Sequence, residues 1–336
     1  MEGMPPVLVT GSTGFIGTLL AAELARRERA VRALVRALSD RTGLEDPRIE
    51  PALGDILEPE SLRRAMEGCG EVFHLAGYAR NWAKDPATFH RVNVEGTRNV
   101  LEAARQAGVR RAVVASSVLT LGPTPPGVVA DEDTPRWLPP FTEYEASKLE
   151  VEREAMDAAV RGLEVVVVNP TRAYGPGKWT EGNSVSRLVD FYGRGRMPFL
   201  LAGGRPVGNY AYVSDLVGGL IAAMERGRPG ERYILGGENA SLRRLFALVD
   251  EASGRGHLSL PLPAALARLF ARTELRRARW LGSYPLITPG WLETFLRDGA
   301  FSCAKAEREL GYRITPLAEG LRRTWEWIER RREATP

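Results

Sequence analysis

Tyr144 and Lys148 stand four residues apart in the run Tyr144-Glu145-Ala146-Ser147-Lys148. On a helix that spacing puts both side chains on one face. An ammonium beside a phenol favours the phenolate and lowers the phenol's pKa from its ordinary value near ~10. A tyrosine so placed can work as an acid or base near neutral pH. The choice of lysine is informative, because only Lys84, Lys148, Lys178 and Lys305 among 46 lysines and arginines are lysine. A lysine kept there points to a compact ammonium rather than a guanidinium fork. With 9 tyrosines in 336 residues, chance supplies roughly 0.1 such pairs. The alternative is an exposed lysine beside a half-buried tyrosine.

A second constellation is Thr10-Gly11-Ser12-Thr13-Gly14-Phe15-Ile16-Gly17. Glycines at three-residue spacing let the backbone turn tightly and approach a pyrophosphate seated on a helix N-terminus. In a chain with 35 glycines the bare pattern arises about 0.4 times by chance. Its place, between the first strand and the helix after it, makes Gly11, Thr13, Gly14, Phe15, Ile16 and Gly17 a dinucleotide loop. The second strand ends at Arg36, where an NAD enzyme would carry an acid for the ribose 2′-hydroxyl. Arg36, with Arg41 close in sequence, instead suits the 2′-phosphate of NADP(H). NAD is the second choice, and a solvated strand-end arginine is the alternative. After the third strand come Asp55 and Ile56. The Asp55 carboxylate either accepts from the adenine amino group or caps the next helix.

The elements that must hold these residues alternate short β-branched runs with helical patterns, which predicts a doubly wound parallel sheet. Strands are predicted at Pro6–Thr10, Val31–Arg36, Ile49–Leu53, Glu71–Ala76, Ala112–Ser116 and Glu164–Asn169. Helices are predicted at Ile16–Arg27, Glu58–Glu67, Phe89–Gly108 and from Tyr144 to Arg161. Six strands in that order match the Rossmann dinucleotide-binding architecture. After Pro170 the rhythm breaks at Gly175-Pro176-Gly177 and Gly203-Gly204-Arg205-Pro206, and proline turns separate the remaining helices. The fold class is therefore α/β, a Rossmann-type sheet with a smaller, mostly helical C-terminal lobe. Residues 1–170 form the dinucleotide-binding domain. Residues 205–237 return to it through strands near Tyr210–Val213 and Arg232–Leu235, and 171–204 with 238–336 form the substrate lobe.

Composition narrows the function classes. The net charge is +4 at a pI of 9.2, with 44% hydrophobic residues, and no basic block alternates with aromatics, so a nucleic-acid partner is not expected. The pairs and triples Arg276-Arg277 and Arg330-Arg331-Arg332 read as solvated helix faces. Cys69 and Cys303 are far apart, without metal-ligand spacing, and read as buried small hydrophobes in a reducing compartment. His74, His90 and His257 make no zinc motif, so no metal site is expected. No apolar run approaches a membrane span and no signal segment precedes the first strand. A cytoplasmic protein without membrane insertion is the expectation.

Taken together, the residues resemble the extended short-chain dehydrogenase/reductase superfamily over nearly the whole chain. The glycine loop carries the likeness, with His74-Leu75-Ala76-Gly77, Asn93-Val94-Glu95-Gly96-Thr97, Ser116-Ser117, Tyr144 and Lys148. Further matches are Asn169-Pro170-Thr171, Tyr174-Gly175-Pro176-Gly177 and Tyr212-Val213-Ser214-Asp215. Trp82-Ala83-Lys84-Asp85-Pro86, the run from Gly230 to Gly237 and the run from Ala306 to Tyr312 are similar to the dihydroflavonol-4-reductase-like group. That group includes bacterial proteins labelled hopanoid-associated sugar epimerases. The resemblance implies Ser117 as the hydroxyl on the substrate oxygen, preferred to Ser116 because the family serine lies five residues before a glycine, here Gly122. It implies Tyr144 as proton donor or acceptor and Lys148 as the residue that binds the nicotinamide ribose and holds the Tyr144 pKa down. Leu75, Ala76, Gly77 and Asn93 would lie by the cofactor, and Pro170 and Thr171 would pack beside the nicotinamide. Family members often pair through the helices near Asn93–Ala107 and Tyr144–Arg161, so a homodimer is expected.

The same three residues serve carbonyl reductases, nucleotide-sugar epimerases and dehydratases. Dehydratases of the family place an Asp-Glu pair where Val118-Leu119 stand, which argues against elimination. Epimerases often carry a diphosphate-clamping arginine where Gly208 stands, with Arg205 the nearest substitute in sequence. Sugar enzymes commonly have a tyrosine where Leu121 precedes Gly122. The departures favour a less polar carbonyl, bordered by Tyr78, Trp82, Trp179, Phe191 and Tyr192. The reading is an NADP(H)-dependent ketone or aldehyde reductase acting on a small-molecule carbonyl. A nucleotide-sugar epimerase is the alternative, and a non-catalytic NADP-sensing protein a distant third, since such proteins usually lose Tyr or Lys.

Overall fold

The alternating pattern folds into parallel strands because each helical crossover covers one sheet face and returns the chain in the same direction. The computed structural model describes residues 4–333. Its strands are β1 (Val7–Thr10), β2 (Val31–Val35), β3 (Ile49–Leu53), β4 (Glu71–His74), β5 (Arg111–Ala115), β6 (Glu164–Pro170), β7 (Arg172–Tyr174), β8 (Phe199–Leu201), β9 (Val207–Tyr212), β10 (Arg232–Leu235), β11 (Glu238–Ser241) and β12 (Leu260–Leu262). Seven of them form one sheet in the order β10-β6-β5-β4-β1-β2-β3, every pairing parallel.

Strand β6 reads Glu-Val-Val-Val-Val-Asn-Pro, and Val165 to Val168 are fully buried. A run apolar on both faces belongs in the middle of a covered parallel sheet, each valine contributing roughly 1.5–3 kcal/mol by leaving water. One face packs against Leu20, Leu24, Leu216 and Leu220, the other against Leu62, Leu101, Val151 and Ala155. The helix expected at Phe89–Gly108 is three joined pieces, Ala87–Phe89, a π-helical turn His90–Glu95 and Gly96–Gln106. Such π turns commonly mark functional positions, and this one carries Asn93.

One strand departs from expectation. The segment at Tyr210 does not rejoin the main sheet: β9 pairs in parallel with β7 and antiparallel with β11 in a separate three-stranded sheet. Val213 already opens the helix Val213–Arg226. The place beside β6 is taken by β10, and β9 instead pairs with β7, the continuation of β6. Tyr174, Tyr192, Tyr212, Phe246, Leu321 and Trp325 fill a further core beneath this small sheet, built mainly by the helices Ser184–Gly193, Leu242–Ser253 and Leu317–Glu333. Among the described residues no helix is long and apolar enough to cross a membrane. Cys69 and Cys303 are both buried and free.

Candidate active site

From β1 the chain moves outward to β2 and β3, then returns to the other side of β1 as β4. The loops after β1 and β4 therefore diverge and leave a crevice at the carboxyl ends of the strands. It opens into a cleft of about 840 Å³. Gly11, Thr13, Gly14, Phe15, Ile16, Gly17, Arg36, Asp55, Ile56, Leu75, Ala76, Gly77, Ser117, Tyr144, Lys148, Pro170 and Thr171 all line it. Asn93 does not. It lies 1% exposed behind the wall, where its Oδ1 accepts from Tyr78 N at 2.6 Å and its Nδ2 donates to Ser147 Oγ at 2.8 Å. Ser147 Oγ in turn donates to the Tyr144 carbonyl at 2.8 Å. The π turn thus braces the helix that carries Tyr144 from behind.

The glycines are dictated by contact. Gly11 has φ +70°, and a Cβ there would lie 2.6 Å from Ala76 N. A Cβ on Gly17 would overlap the Gly11 carbonyl oxygen, so the helix Phe15–Arg26 starts hard against the loop. Its N-cap, Gly14, offers no side-chain acceptor, which leaves the first backbone N–H groups aimed at the cleft. At the far end Arg36 is exposed, lines the cleft and has no side-chain partner among the described residues. Arg41 is not part of the lining. Asp55 is not the cap of the following helix, a position held by Glu58. Its Oδ1 braces a turn by accepting from Leu57 N at 3.0 Å. The Thr171 hydroxyl, on the cleft wall, is buried without a protein partner. A glycine cradle, an uncapped helix start, an unpartnered arginine and an orphaned hydroxyl together fit a nicotinamide dinucleotide.

Tyr144 and Lys148 arise one turn apart on the helix Glu143–Val160. Thr142 starts that helix as its N-cap, accepting from Glu145 N at 3.1 Å, while Glu145 sits three residues on. The Glu145 carboxylate in turn accepts from Phe141 N at 3.2 Å and the Thr142 hydroxyl at 3.4 Å, which fixes the first turn and with it the tyrosine. Ser117 is turned toward the phenol, and Ser116 is not: Ser116 Oγ donates to Glu152 Oε1 at 2.7 Å. Ser117 Oγ also accepts from Leu119 N at 3.2 Å, capping a short 3₁₀ turn.

The electrostatics reverse the expected direction for Tyr144. Burial pushes its phenol up to about 12, and the Ser117 hydroxyl pulls against that. Lys148 is pushed down to about 8, chiefly by burial, against the pull of the Glu152 carboxylate. The Lys148 ammonium donates to the Ala115 carbonyl at 2.8 Å. The i, i+4 spacing brings both groups to one wall, and there removal from water sets the direction of both shifts. His74, between Thr10 Oγ1 at 2.8 Å and Thr97 Oγ1 at 2.9 Å, is driven down to about 3 by burial, with Lys148 adding to it. It is a neutral clip between β1, β4 and the helix Gly96–Gln106.

Glu152 is a residue the sequence reading missed. Its Oε1 accepts from Ser116 Oγ, Thr120 Oγ1 at 2.8 Å and Asn169 Nδ2 at 2.6 Å, and Arg232 approaches its Oε2 at 3.4 Å. Asn169 Nδ2 also donates to the Ser117 carbonyl at 3.0 Å. The hub ties the helix Glu143–Val160 to the ends of β5, β6 and β10. The signal was present as a second i, i+4 step, from Lys148 to Glu152.

The aromatic expectation needs correction. Tyr78 lines the cleft, while Trp82, Trp179, Phe191 and Tyr192 do not. Trp179 packs on Trp327 and Tyr192 stacks on Phe246 at 3.8 Å inside the small-sheet core. Phe141, Trp291, Phe295 and Phe301 line the substrate end instead, with Trp291 stacked on Tyr144 at 6.1 Å. Gly208 has a structural counterpart in Arg172, whose Nη1 would overlap a Cβ at 208. The Arg172 guanidinium lies 4.9 Å from the Phe295 ring centroid, 5.8 Å from that of Tyr210, and donates to the Thr294 carbonyl at 2.9 Å. Arg205 is outside the cleft lining. Of the nearby carboxylates, Glu145 is 1% exposed and locked to Arg136 at 2.5 Å.

Comparison with known proteins fits this geometry. The model of the NAD dependent epimerase/dehydratase family matches residues 7–236. A "Putative dihydroflavonol 4-reductase" of Synechocystis sp. is 32% identical, covering 96% of this chain and 94% of that one. A "4-hydroxy-2-methyl-3-oxo-4-farnesyl-3,4-dihydroquinoline-1-oxide ketoreductase" of Stigmatella aurantiaca is 32% identical over 90% of each. The crystal structure of gox2253 superposes with a TM-score of 0.83 at 34% identity, covering 97% of this chain and 98% of that one.

Proposed function

The chain belongs to the NAD-dependent epimerase/dehydratase family, and within it we propose an NADP(H)-dependent reductase that converts a ketone or aldehyde to an alcohol. One observation carries this reading: Ser117, Tyr144 and Lys148 meet on a wall that continues into the glycine cradle, and Phe141, Trp291, Phe295 and Phe301 flank them. The dinucleotide, held by the glycine loop, Arg36, Asp55, Lys148 and Thr171, supplies the hydride when bound. Ser117 and Tyr144 bind the substrate carbonyl oxygen, and Tyr144, protonated because burial holds its pKa near 12, gives that oxygen its proton. Lys148 keeps two N–H donors beyond the one on Ala115, enough to fix a ribose and stabilise a transient phenolate. The aromatic walls exclude water and favour an apolar carbonyl, in keeping with the farnesylated substrate named for the Stigmatella relative.

An epimerase acting on a nucleotide sugar is the second reading, favoured by Arg172, a cleft-lining cation with no carboxylate partner among the described residues. We assign residues 1–170 with 213–235 to cofactor binding, since the helix Val213–Arg226 covers the main sheet and β10 joins it, and the remaining residues to the substrate. A homodimer through the helices Gly96–Gln106 and Glu143–Val160 belongs to the same proposal. Purified protein with NADPH against a carbonyl panel, with nucleotide sugars followed by NMR in parallel, tests the choice. Oxidation of NADPH by carbonyls alone is expected; sugar inversion without net oxidation would sink the reductase reading.

Arg36 decides the coenzyme. Charge-assisted bonds to a 2′-phosphate are worth about 1.5–3 kcal/mol. Arg36→Ala is therefore expected to lower the NADP/NAD affinity ratio roughly tenfold to hundredfold, read by fluorescence titration with both coenzymes. An unchanged ratio removes the phosphate role.

A further inference from the structure

The helix Ala264–Leu281 turns its small residues inward and its large ones outward. Its buried positions are Ala267, Ala271, Glu274 and Ala278. Leu266, Leu269, Phe270 and Leu281 are each more than half exposed, and Trp280 is 87% exposed. At about 3.6 residues per turn these five share one side facing solvent, in two patches with the exposed Thr273 and Arg277 between them. Along one edge of the stripe run Arg268, Arg272, Arg276 and Arg279, also at helical spacing. Arg268 pairs with Glu293 at 2.7 Å. Arg272, Arg276 and Arg279 have no side-chain partner among the described residues. Leu286, 77% exposed, continues the apolar surface past the helix end.

The orientation is fixed by the inner face. Glu274 pairs with Arg277 at 2.6 Å and accepts from Leu286 N at 2.9 Å, which fastens the following loop. Ala267 and Ala271 let the helix lie close on Leu292. Turning the outer leucines inward would bury guanidinium groups and force large side chains into alanine-sized space. An apolar stripe of this size rimmed by cations marks a contact surface.

We infer that this helix docks on an anionic lipid bilayer, with Leu266, Leu269, Phe270, Trp280 and Leu281 in the acyl boundary and Arg272, Arg276 and Arg279 on headgroup phosphates. An apolar face edged by arginines, on a helix that does not span, is the pattern of an interfacial element. Charge selects the occupant. An antiparallel two-fold contact with a second copy would bring the arginine rows together, and a parallel one would leave them without acids, since the one acid of the helix, Glu274, is buried and already paired. Arg276 and Arg277 are both exposed, as expected of a solvated face; Arg277 also serves Glu274, and the proposal adds Arg276 to the row.

The helix also adjoins a helix that lines the cleft. It packs on the helix Pro289–Leu296, whose Trp291 and Thr294 line the substrate end. The loop after it delivers Tyr284, whose hydroxyl donates to the Trp82 carbonyl and lies 3.3 Å from that of Tyr78. Docking would therefore bring the cleft's substrate end to the bilayer, the source of an apolar carbonyl compound. That last step rests on the reductase reading; the docking itself does not.

Co-sedimentation of the full chain with phosphatidylcholine vesicles, with and without phosphatidylglycerol, tests it. Binding is expected only with phosphatidylglycerol and should weaken with salt. Each arginine is worth roughly fivefold in partition. The combined Arg272→Gln, Arg276→Gln and Arg279→Gln variant should lose about a hundredfold, and Phe270→Ser with Trp280→Ser should abolish binding. Both variants should keep the wild-type circular dichroism spectrum and the wild-type turnover of a water-soluble substrate. Failure of the folded wild type to bind phosphatidylglycerol vesicles overturns the inference, as does binding indifferent to both variants. Vesicle-independent self-association, abolished by Phe270→Ser with Trp280→Ser in sedimentation velocity, would assign the stripe to a second copy and equally overturn it.

Discussion

Tyr144→Phe should lower kcat for carbonyl reduction roughly 10²–10⁴-fold while leaving coenzyme affinity nearly unchanged. The phenylalanine keeps the ring that stacks on Trp291 at 6.1 Å, so the wall retains its shape and only the proton is removed. Ser117 remains to polarise the carbonyl, which is why a residue of activity should survive. The direction of the reaction adds a second check. Burial holds the phenol up to about 12, so the acid form dominates at neutral pH and reduction should vary little with pH there. Alcohol oxidation needs the phenolate and should climb as pH rises toward that value. Stopped-flow rates in both directions, with coenzyme titration by fluorescence, read both effects. Wild-type-like reduction by the variant would remove Tyr144 from the chemistry.

What the sequence disclosed about this site is what is local in the chain. The glycine loop, Tyr144 with Lys148, and the Ser116-Ser117 pair are short patterns, and each lies within a few residues of the strand end or helix start that positions it. Ser116 and Ser117 both line the cleft, and Ser116 donates to Glu152. The substrate end was not legible. Phe141 comes from the loop before the catalytic helix, and Trp291, Phe295 and Phe301 come from a segment about 150 residues later in the chain. Nothing in the spacing of those aromatics tells them from Tyr192 or Trp179, which pack into a different core.

Two further departures have the same physical origin. Strand β9 is legible as a strand, but the place beside β6 goes to β10, which is farther along the chain. Competition between two segments for one sheet position leaves no local trace. The Tyr144 pKa is the other case. Spacing reports that an ammonium and a phenol are neighbours, and neighbourhood alone predicts a lowered phenol. Burial depends on everything packed around them, including Asn93 behind the wall and the hub at Glu152, and here it sets the sign.

Lys148→Met should lower kcat/KM roughly 10²–10³-fold, the scale of losing one preorganised electrostatic donor, and should leave the fold intact. Its effect on stability has a definite sign. Lys148 is 6% exposed, and its pKa falls from 10.5 to about 8 in the folded chain. The folded state therefore binds its proton less tightly than the unfolded one. Below about pH 8 both states are protonated and the folded chain bears the full cost of a buried ammonium, roughly 3 kcal/mol by that shift. As pH rises from about 8 to 10.5 the folded state sheds the proton first, so this contribution to stability increases across that window. Tyr144 acts oppositely between 10 and about 12, where the unfolded phenol ionises first and stability falls. Urea midpoints measured across the lysine window should rise for the wild type once other groups are subtracted, and Lys148→Met should flatten that rise. The variant should also be at least as stable as the wild type near neutrality, since a methionine of similar shape removes a buried charge. A variant with the wild-type slope would show that Lys148 is not the group being relieved. Full activity together with that slope would remove it from both roles.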